Sequence, residues 1–271
     1  MARLGLNSKD DSLKRNILTI VLLICVTPAN GDGFPDYLII ASEGVIVGRN
    51  AHIRNPSLAL FDETRRLTEI STSLRDGDAI DAISGSPEQI LFTTTSPASS
   101  STGSWLSSAV LELGSDQQIQ EFSFPGMPVG FPDIAALSVK PSALYFSPKK
   151  VARFETVIVF PQDIAKLEGG SISVEVDGSE VGIPETVRMS AIEALENGSF
   201  LLALSKPVEI NGVAIESGDI AFMDPDSSPT ISVFRQRAFH FGPCESCRVT
   251  GIAAQINRDV IFRDSFTSPW N

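Results

Sequence analysis

The apolar positions of this chain fall into one short pattern written four times. The copies are Ile80-Asp81-Ala82-Ile83, Ile134-Ala135-Ala136-Leu137, Met189-Ser190-Ala191-Ile192 and Val249-Thr250-Gly251-Ile252. Each reads bulky, variable, small, bulky. Each is followed by a second apolar cluster: Ile90-Leu91-Phe92, Leu144-Tyr145-Phe146, Phe200-Leu201-Leu202 and Val260-Ile261-Phe262. Successive copies are 54, 55 and 60 residues apart, counted at the last bulky residue. No segment beyond the first thirty residues sustains a helical period. A repeat of this length made of short strands predicts an all-β fold of the radial kind, a β-propeller built from ~55-residue units.

The small third residue (Ala82, Ala136, Ala191, Gly251) marks the inner strand of each blade, because sheets that converge on an axis leave little room for side chains there. The second cluster then supplies the next strand. For the outer pair the pattern predicts 109–113 with 119–122, 157–160 with 172–176, and 220–223 with 231–234. Polar turns such as Gly114-Ser115-Asp116 and the Asp224 to Pro229 segment separate them. The fourth copy stops after two clusters. Near the other end, Leu58 to Asp62 and Leu67 to Ile70 look like an outer pair with no inner motif before them. Joining these halves closes a ring of four composite blades and removes exposed sheet edges. Tyr37 to Ala41 and Val45 to Val47 permit a second solution, an irregular first blade and a ring of five.

The first thirty residues are of another kind. Lys14 and Arg15 end a basic region, and Ile17 to Val26 is an unbroken apolar stretch, short of the roughly 20 residues a membrane-crossing helix needs. Thr27 and Ala29 offer small residues at the spacing of a cleavage site, so residues 1–29 read as a secretory signal peptide. A retained signal anchor is the alternative. Residues 30–271 then form a single propeller domain, with no stable membrane span after cleavage, in a secreted or periplasmic protein.

The formal charge is −12, from 33 acidic and 21 basic residues, with no basic cluster in the mature part. Binding nucleic acid through phosphates requires such a cluster, so nucleic acid is not an expected partner. Cys244 and Cys247 flank Glu245-Ser246, and in an exported chain two cysteines this close most simply form a local disulfide. Zinc needs two further ligands where only His52 and His240 exist. A redox pair would open a helix, whereas an apolar strand follows here.

As a group, the repeats resemble the β-propeller-like repeats of secreted bacterial proteins. The matching pieces are Asp78-Ala79-Ile80-Asp81-Ala82-Ile83 with Ile90-Leu91-Phe92-Thr93, and Asp133-Ile134-Ala135-Ala136-Leu137 with Leu144-Tyr145-Phe146-Ser147. The resemblance covers about 200 residues, rests mostly on apolar pattern, and implies fold and export more than activity.

Catalytic constellations are sparse. Neither histidine lies in a metal-binding or nucleophile-activating spacing, and no serine elbow, phosphate loop or dinucleotide fingerprint occurs. Asp224, Asp226 and Ser228 alternate as calcium ligands do, making Asp224 and Asp226 the candidate metal ligands. The loop has Pro229 where glycine belongs and Arg235 where the bidentate Glu belongs. Asp78, Asp81 and Asp133 sit at the start of inner strands, placed either to bind a ligand at a channel mouth or to cap backbone amides. The Ser/Thr-rich stretch from Thr93 to Ser108 reads as a loop on one face, where Trp105 would stack on a carbohydrate or fold back onto its blade. No cofactor is called for, calcium being the one cation the sequence invites. The expected function is a binding or scaffold module for a protein or carbohydrate ligand. The competing expectation is a propeller hydrolase or lyase acting on glycans or lactones, with or without calcium.

Overall fold

The computed structural model describes residues 35–43, 45–47, 52–62, 66–75, 77–225, 230–236 and 247–255. Residues 1–29, expected to form a signal peptide, and the cluster Val260 to Phe262 lie outside them. Among the described residues the structure is almost wholly β, the inner strands buried along most of their length and an outer strand such as Ser171–Val176 alternating. The first strands are β1 (Tyr37–Glu43), β2 (Val45–Val47), β3 (His52–Arg54), β4 (Leu58–Asp62) and β5 (Leu67–Ile70). Then follow β6 (Ile80–Ser86), β7 (Gln89–Thr94), β8 (Ala98–Ser99), β9 (Ser104–Trp105), β10 (Val110–Leu113) and β11 (Ile119–Phe122). The third unit holds β12 (Ile134–Val139), β13 (Ala143–Pro148), β14 (Ala152–Arg153), β15 (Ile158–Val159), β16 (Ile164–Glu168) and β17 (Ser171–Val176), with the one-turn helix α1 (Gly178–Val181) after it. The fourth holds β18 (Met189–Ala194), β19 (Phe200–Leu204), β20 (Val208–Ile210), β21 (Val213–Ile215), β22 (Ile220–Asp224) and β23 (Thr230–Arg235), and β24 (Arg248–Gln255) ends the described chain.

These strands make four four-stranded antiparallel sheets, ordered β24-β1-β4-β5, β6-β7-β10-β11, β12-β13-β16-β17 and β18-β19-β22-β23. The four inner strands pack in a cycle, β24 on β6, β6 on β12, β12 on β18 and β18 on β24. The chain is therefore a four-bladed β-propeller. Its first blade takes its inner strand from the carboxy-terminal side, with Tyr37 through Glu43 paired against Gln255 through Arg248. The five-bladed alternative is thus corrected: Tyr37 to Ala41 is the second strand of the closing blade, the place assigned to Val260 to Phe262. The hydrophobic core is four wedges, one between each pair of neighbouring blades.

Every blade carries a small two-stranded hairpin between its second and third strands: β2-β3, β8-β9, β14-β15 and β20-β21. This corrects two expectations. The Thr93 to Ser108 stretch is the end of β7 plus one of these hairpins, not an irregular loop. Val157 to Phe160 belongs to the hairpin of the third blade, and its third strand is β16 instead. Asp163, just before β16, accepts from the Phe160 amide at 2.8 Å, as Asp219, just before β22, accepts from the Glu216 amide at 2.9 Å. A capping aspartate thus marks the third strand in the third and fourth blades, and the apolar run before β16 misled because Ile158 and Phe160 are exposed.

The four-residue motif has one geometry throughout. Pairing of each inner strand with its neighbour slips by one residue at the second place, at Asp81, Ala135, Ser190 and Thr250. Such a bulge twists the strand sharply. The small third residue then faces the next blade: Ala82 joins the wedge with the third blade, Ala136 that with the fourth and Ala191 that with the first. Opposite inner strands also come close, β6 to β18 and β12 to β24, so the axis is narrow. At Gly251 an added Cβ would lie 2.8 Å from both the backbone nitrogen and Cγ1 of Ile83. We expect Gly251→Ala to lower stability by about 1–3 kcal/mol through overpacking, read from chemical denaturation. An unchanged midpoint would contradict the close approach of β24 and β6 on which ring closure rests.

Candidate functional site

The ring has two faces of different construction. One carries the four hairpins and the links into each inner strand. The other carries the tight turns between first and second strands of the second, third and fourth blades. At the tight-turn face the ends of all four inner strands converge on a cavity of about 520 Å³. Its wall includes Gly85 and Ser86 from β6, Val139 from β12, Ala194 from β18, and Ala254 and Gln255 from β24. Tyr37, Gln89, Lys140, Glu193, Glu196 and Asn197 add polar groups.

The charged centre of this cavity is Glu193. It occupies the fifth place of its repeat, one residue beyond the motif, where the other copies have Ser84, Ser138 and Ala253. That place is buried in all four blades, and Ser84 and Ser138 there bond to the next blade. From the neighbouring third blade, Lys140 donates to Glu193 Oε1 at 2.5 Å and the Ser138 hydroxyl donates to Oε2 at 3.1 Å. Burial pushes the Glu193 carboxyl up to about 7, although Lys140 and Ser138 both pull the other way. A fully buried carboxylate loses its hydration, and one ammonium does not restore it. Tyr37 stands at the same mouth, its hydroxyl donating to the Gly85 carbonyl at 2.9 Å. Burial first, and then the field of Glu193, raise the phenol to about 12. Tyr37 is therefore a fixed neutral donor, and Glu193 is the group of the cavity that changes charge near neutrality.

The residues marked from sequence lie elsewhere, toward the hairpin face. Asp81 is buried in the bulge of β6 and pairs with Lys149 at 2.8 Å. Its acidity is weakened by burial, with Lys149 opposing. Asp78 accepts from the Ser99 amide at 3.1 Å, and exposed Asp133 accepts from the Ser107 hydroxyl at 3.1 Å. Each carboxylate serves its own neighbour, and the second and third hold the hairpin and link of the second blade. Trp105 is half-buried and folded against the wedge between the first two blades. Asp224 ends β22 and is partly buried, and Asp226 lies outside the described residues. Among the described residues no three His, Cys, Asp or Glu side chains gather as a metal site would require. Cys247 is buried and disulfide-bonded, while Cys244 lies outside the described residues. Among those same residues no helix is long and apolar enough to cross a membrane.

Glu193, Lys140 and Tyr37 went unmarked in the sequence. One signal was available: a charge at a place that the repeat fills with small uncharged residues in its other copies.

No family model matches the chain, and no curated protein matches it. Among solved structures it is similar to YjhT, with 18% identity and a TM-score of 0.31, over 66% of this chain and 51% of that one. The chain thus spans about half the length of YjhT. It is similar to a streptogramin B lyase at 11% identity and a TM-score of 0.34, over 80% and 72% of the two chains. A third is YCF48 bound to D1 peptide, at 11% identity and a TM-score of 0.28, over 72% and 65%. These likenesses are loose, and the four-bladed ring stands on the strand pairing and inner-strand packing of the chain itself.

The carboxyl of Glu193 gives a pH signature. Its folded value, about 7, lies above the ordinary 4.5. The native state therefore keeps a proton that the unfolded chain releases, and stability falls as pH rises between these values. Glu193→Gln should flatten that fall in thermal melts between pH 4.5 and 7.5. The variant should gain on the wild type by up to about 3 kcal/mol at the upper end. Parallel pH curves for the two proteins would show that Glu193 is not held neutral by burial.

Proposed function

We propose that this protein is an exported binding module whose central cavity takes a neutral, hydroxyl-rich ligand of the carbohydrate class. The observation that carries this reading is the convergence of four inner-strand ends on one polar cavity, with the Glu193–Lys140 pair facing it. Concave sites with a few placed polar groups are the usual seats of small ligands. Gln255 offers an amide that donates and accepts at once, as sugar hydroxyls require. Gln89, donating to Glu112 at 2.7 Å, adds its carbonyl oxygen, and Asn197, accepting from the Ser199 amide at 3.1 Å, adds its amino group. Export rests on the apolar segment Ile17 to Val26 and its flanks.

One observation favours a second reading, a hydrolase or lyase on the same scaffold. A carboxyl held near neutrality beside a cavity has the acidity that general acid–base catalysis uses. In that reading Glu193 transfers the proton and Lys140 stabilises the carboxylate that results.

The test is saturation-transfer NMR of the mature chain against a panel of neutral oligosaccharides, with product analysis of the same mixtures. Binding is expected for at least one member, and Asn197→Ala or Gln89→Ala should weaken it about tenfold, or 1.4 kcal/mol. Binding without cleavage supports the module. Cleavage that stops in Glu193→Gln supports the enzyme. Absence of binding across the panel would overturn the carbohydrate reading.

A further inference from the structure

The opposite mouth of the ring has its own cavity, of about 380 Å³, and its lining is dominated by cations. Lys149, Arg188, Lys206 and Arg248 line it together with Glu185. These cations come from three blades. Arg188 directly precedes β18 and Arg248 opens β24, the same place of the repeat in adjacent blades. Lys149 and Lys206 follow the second strands β13 and β19. Such convergence is unexpected in a chain of net charge −12, where scattered lysines and arginines would more often meet acidic neighbours.

Three carboxylates stand against these four cations, and Asp81 attracts Arg188 as well as Lys149. Asp81 takes Lys149 at 2.8 Å, and Glu43 takes Arg248 at 2.6 Å. Glu185 is exposed on the lining. Among the described residues Arg188 and Lys206 have no ion pair. The Arg188 backbone is fixed, its amide donating to the Ser205 hydroxyl at 3.1 Å. Its side-chain Nε is buried and finds no acceptor, and the Nε of Arg248 is in the same position. Buried guanidinium donors without acceptors are costly. A carboxylate or phosphate in the cavity meets the outer guanidinium nitrogens of Arg188 with charge-assisted hydrogen bonds.

We propose that this second cavity binds the oxyanion group of a small polar ligand, a carboxylate or a phosphate, with Arg188 as the principal grip and Lys206 on the rim. Lys149 and Arg248, already paired, set the local positive field and hold the mouth in shape. The site is separate from the Glu193 cavity, so the two readings stand or fall independently.

Isothermal titration calorimetry of the mature chain tests it, with inorganic phosphate and citrate as probes and thermal melting as the check on folding. Saturable binding of at least one probe is expected, in the range of about 1 mM or tighter. Phosphate alone would identify a phosphate site and citrate alone a carboxylate site, and either supports the proposal. Arg188→Gln and Lys206→Gln should each weaken binding about tenfold. Lys166→Gln, on β16, should leave it unchanged. Should Arg188→Gln fail to fold, the exposed Lys206 still decides the matter. The proposal is overturned if neither probe binds, or if folded Arg188→Gln or Lys206→Gln binds as the wild type does.

Discussion

Four sheets that meet at an axis each present an open inner edge, and the rest of the structure depends on how those edges are satisfied. Backbone groups on an inner strand have no further strand to pair with, and burial removes water as a partner. The chain answers with side chains from the preceding blade. The Ser84 hydroxyl accepts from the Val139 amide at 2.7 Å, and Ser138 accepts from the Ala194 amide at 3.0 Å. Ser190 donates to the Val249 carbonyl, and Thr250 donates to the Ile80 carbonyl. Asn55 spans the joint between first and second blades, accepting from the Ile80 amide and donating to the Ile80 carbonyl. Each blade thereby caps the next, and the ring is held by polar contacts as well as by its apolar wedges.

The same constraint places chemistry at the two mouths. Midway along the axis there is room only for alanine or glycine at the third motif place. Beyond it, at the fifth place, Glu193 of the fourth blade meets Lys140 of the neighbouring third blade. At the other end the bulge admits Asp81 and, around it, the cations that close on the second cavity. The two ends thus differ in charge because different repeat places face them.

The architecture was largely legible because the motif's third residue answers to a packing limit that every blade shares. Joining the two chain ends into one blade followed from counting halves. The division of that blade did not, since Tyr37 to Glu43 and the carboxy-terminal cluster are equally apolar. Exposure misled at Val157 to Phe160, a run that resembles a core strand although Ile158 and Phe160 face outward. The central carboxylate escaped notice for another reason. Its weakened acidity arises from burial among the surrounding blades, and Lys140, 53 residues away, is brought to it only by the packing of the third blade against the fourth. Asp78, Asp81 and Asp133 were correctly placed near strand starts, where each was found bonded to a different neighbour.

The most direct measurement is amide hydrogen exchange at Val139 and Ala194 in the wild type and in the Ser84→Ala, Ser138→Ala double variant. Both amides lie on inner edges without a strand partner. If neighbouring blades supply their acceptors, they exchange as slowly in the wild type as core ladder amides and at least about tenfold faster in the variant. Equal rates in the two proteins would contradict the account, because burial alone would then be holding the inner edges.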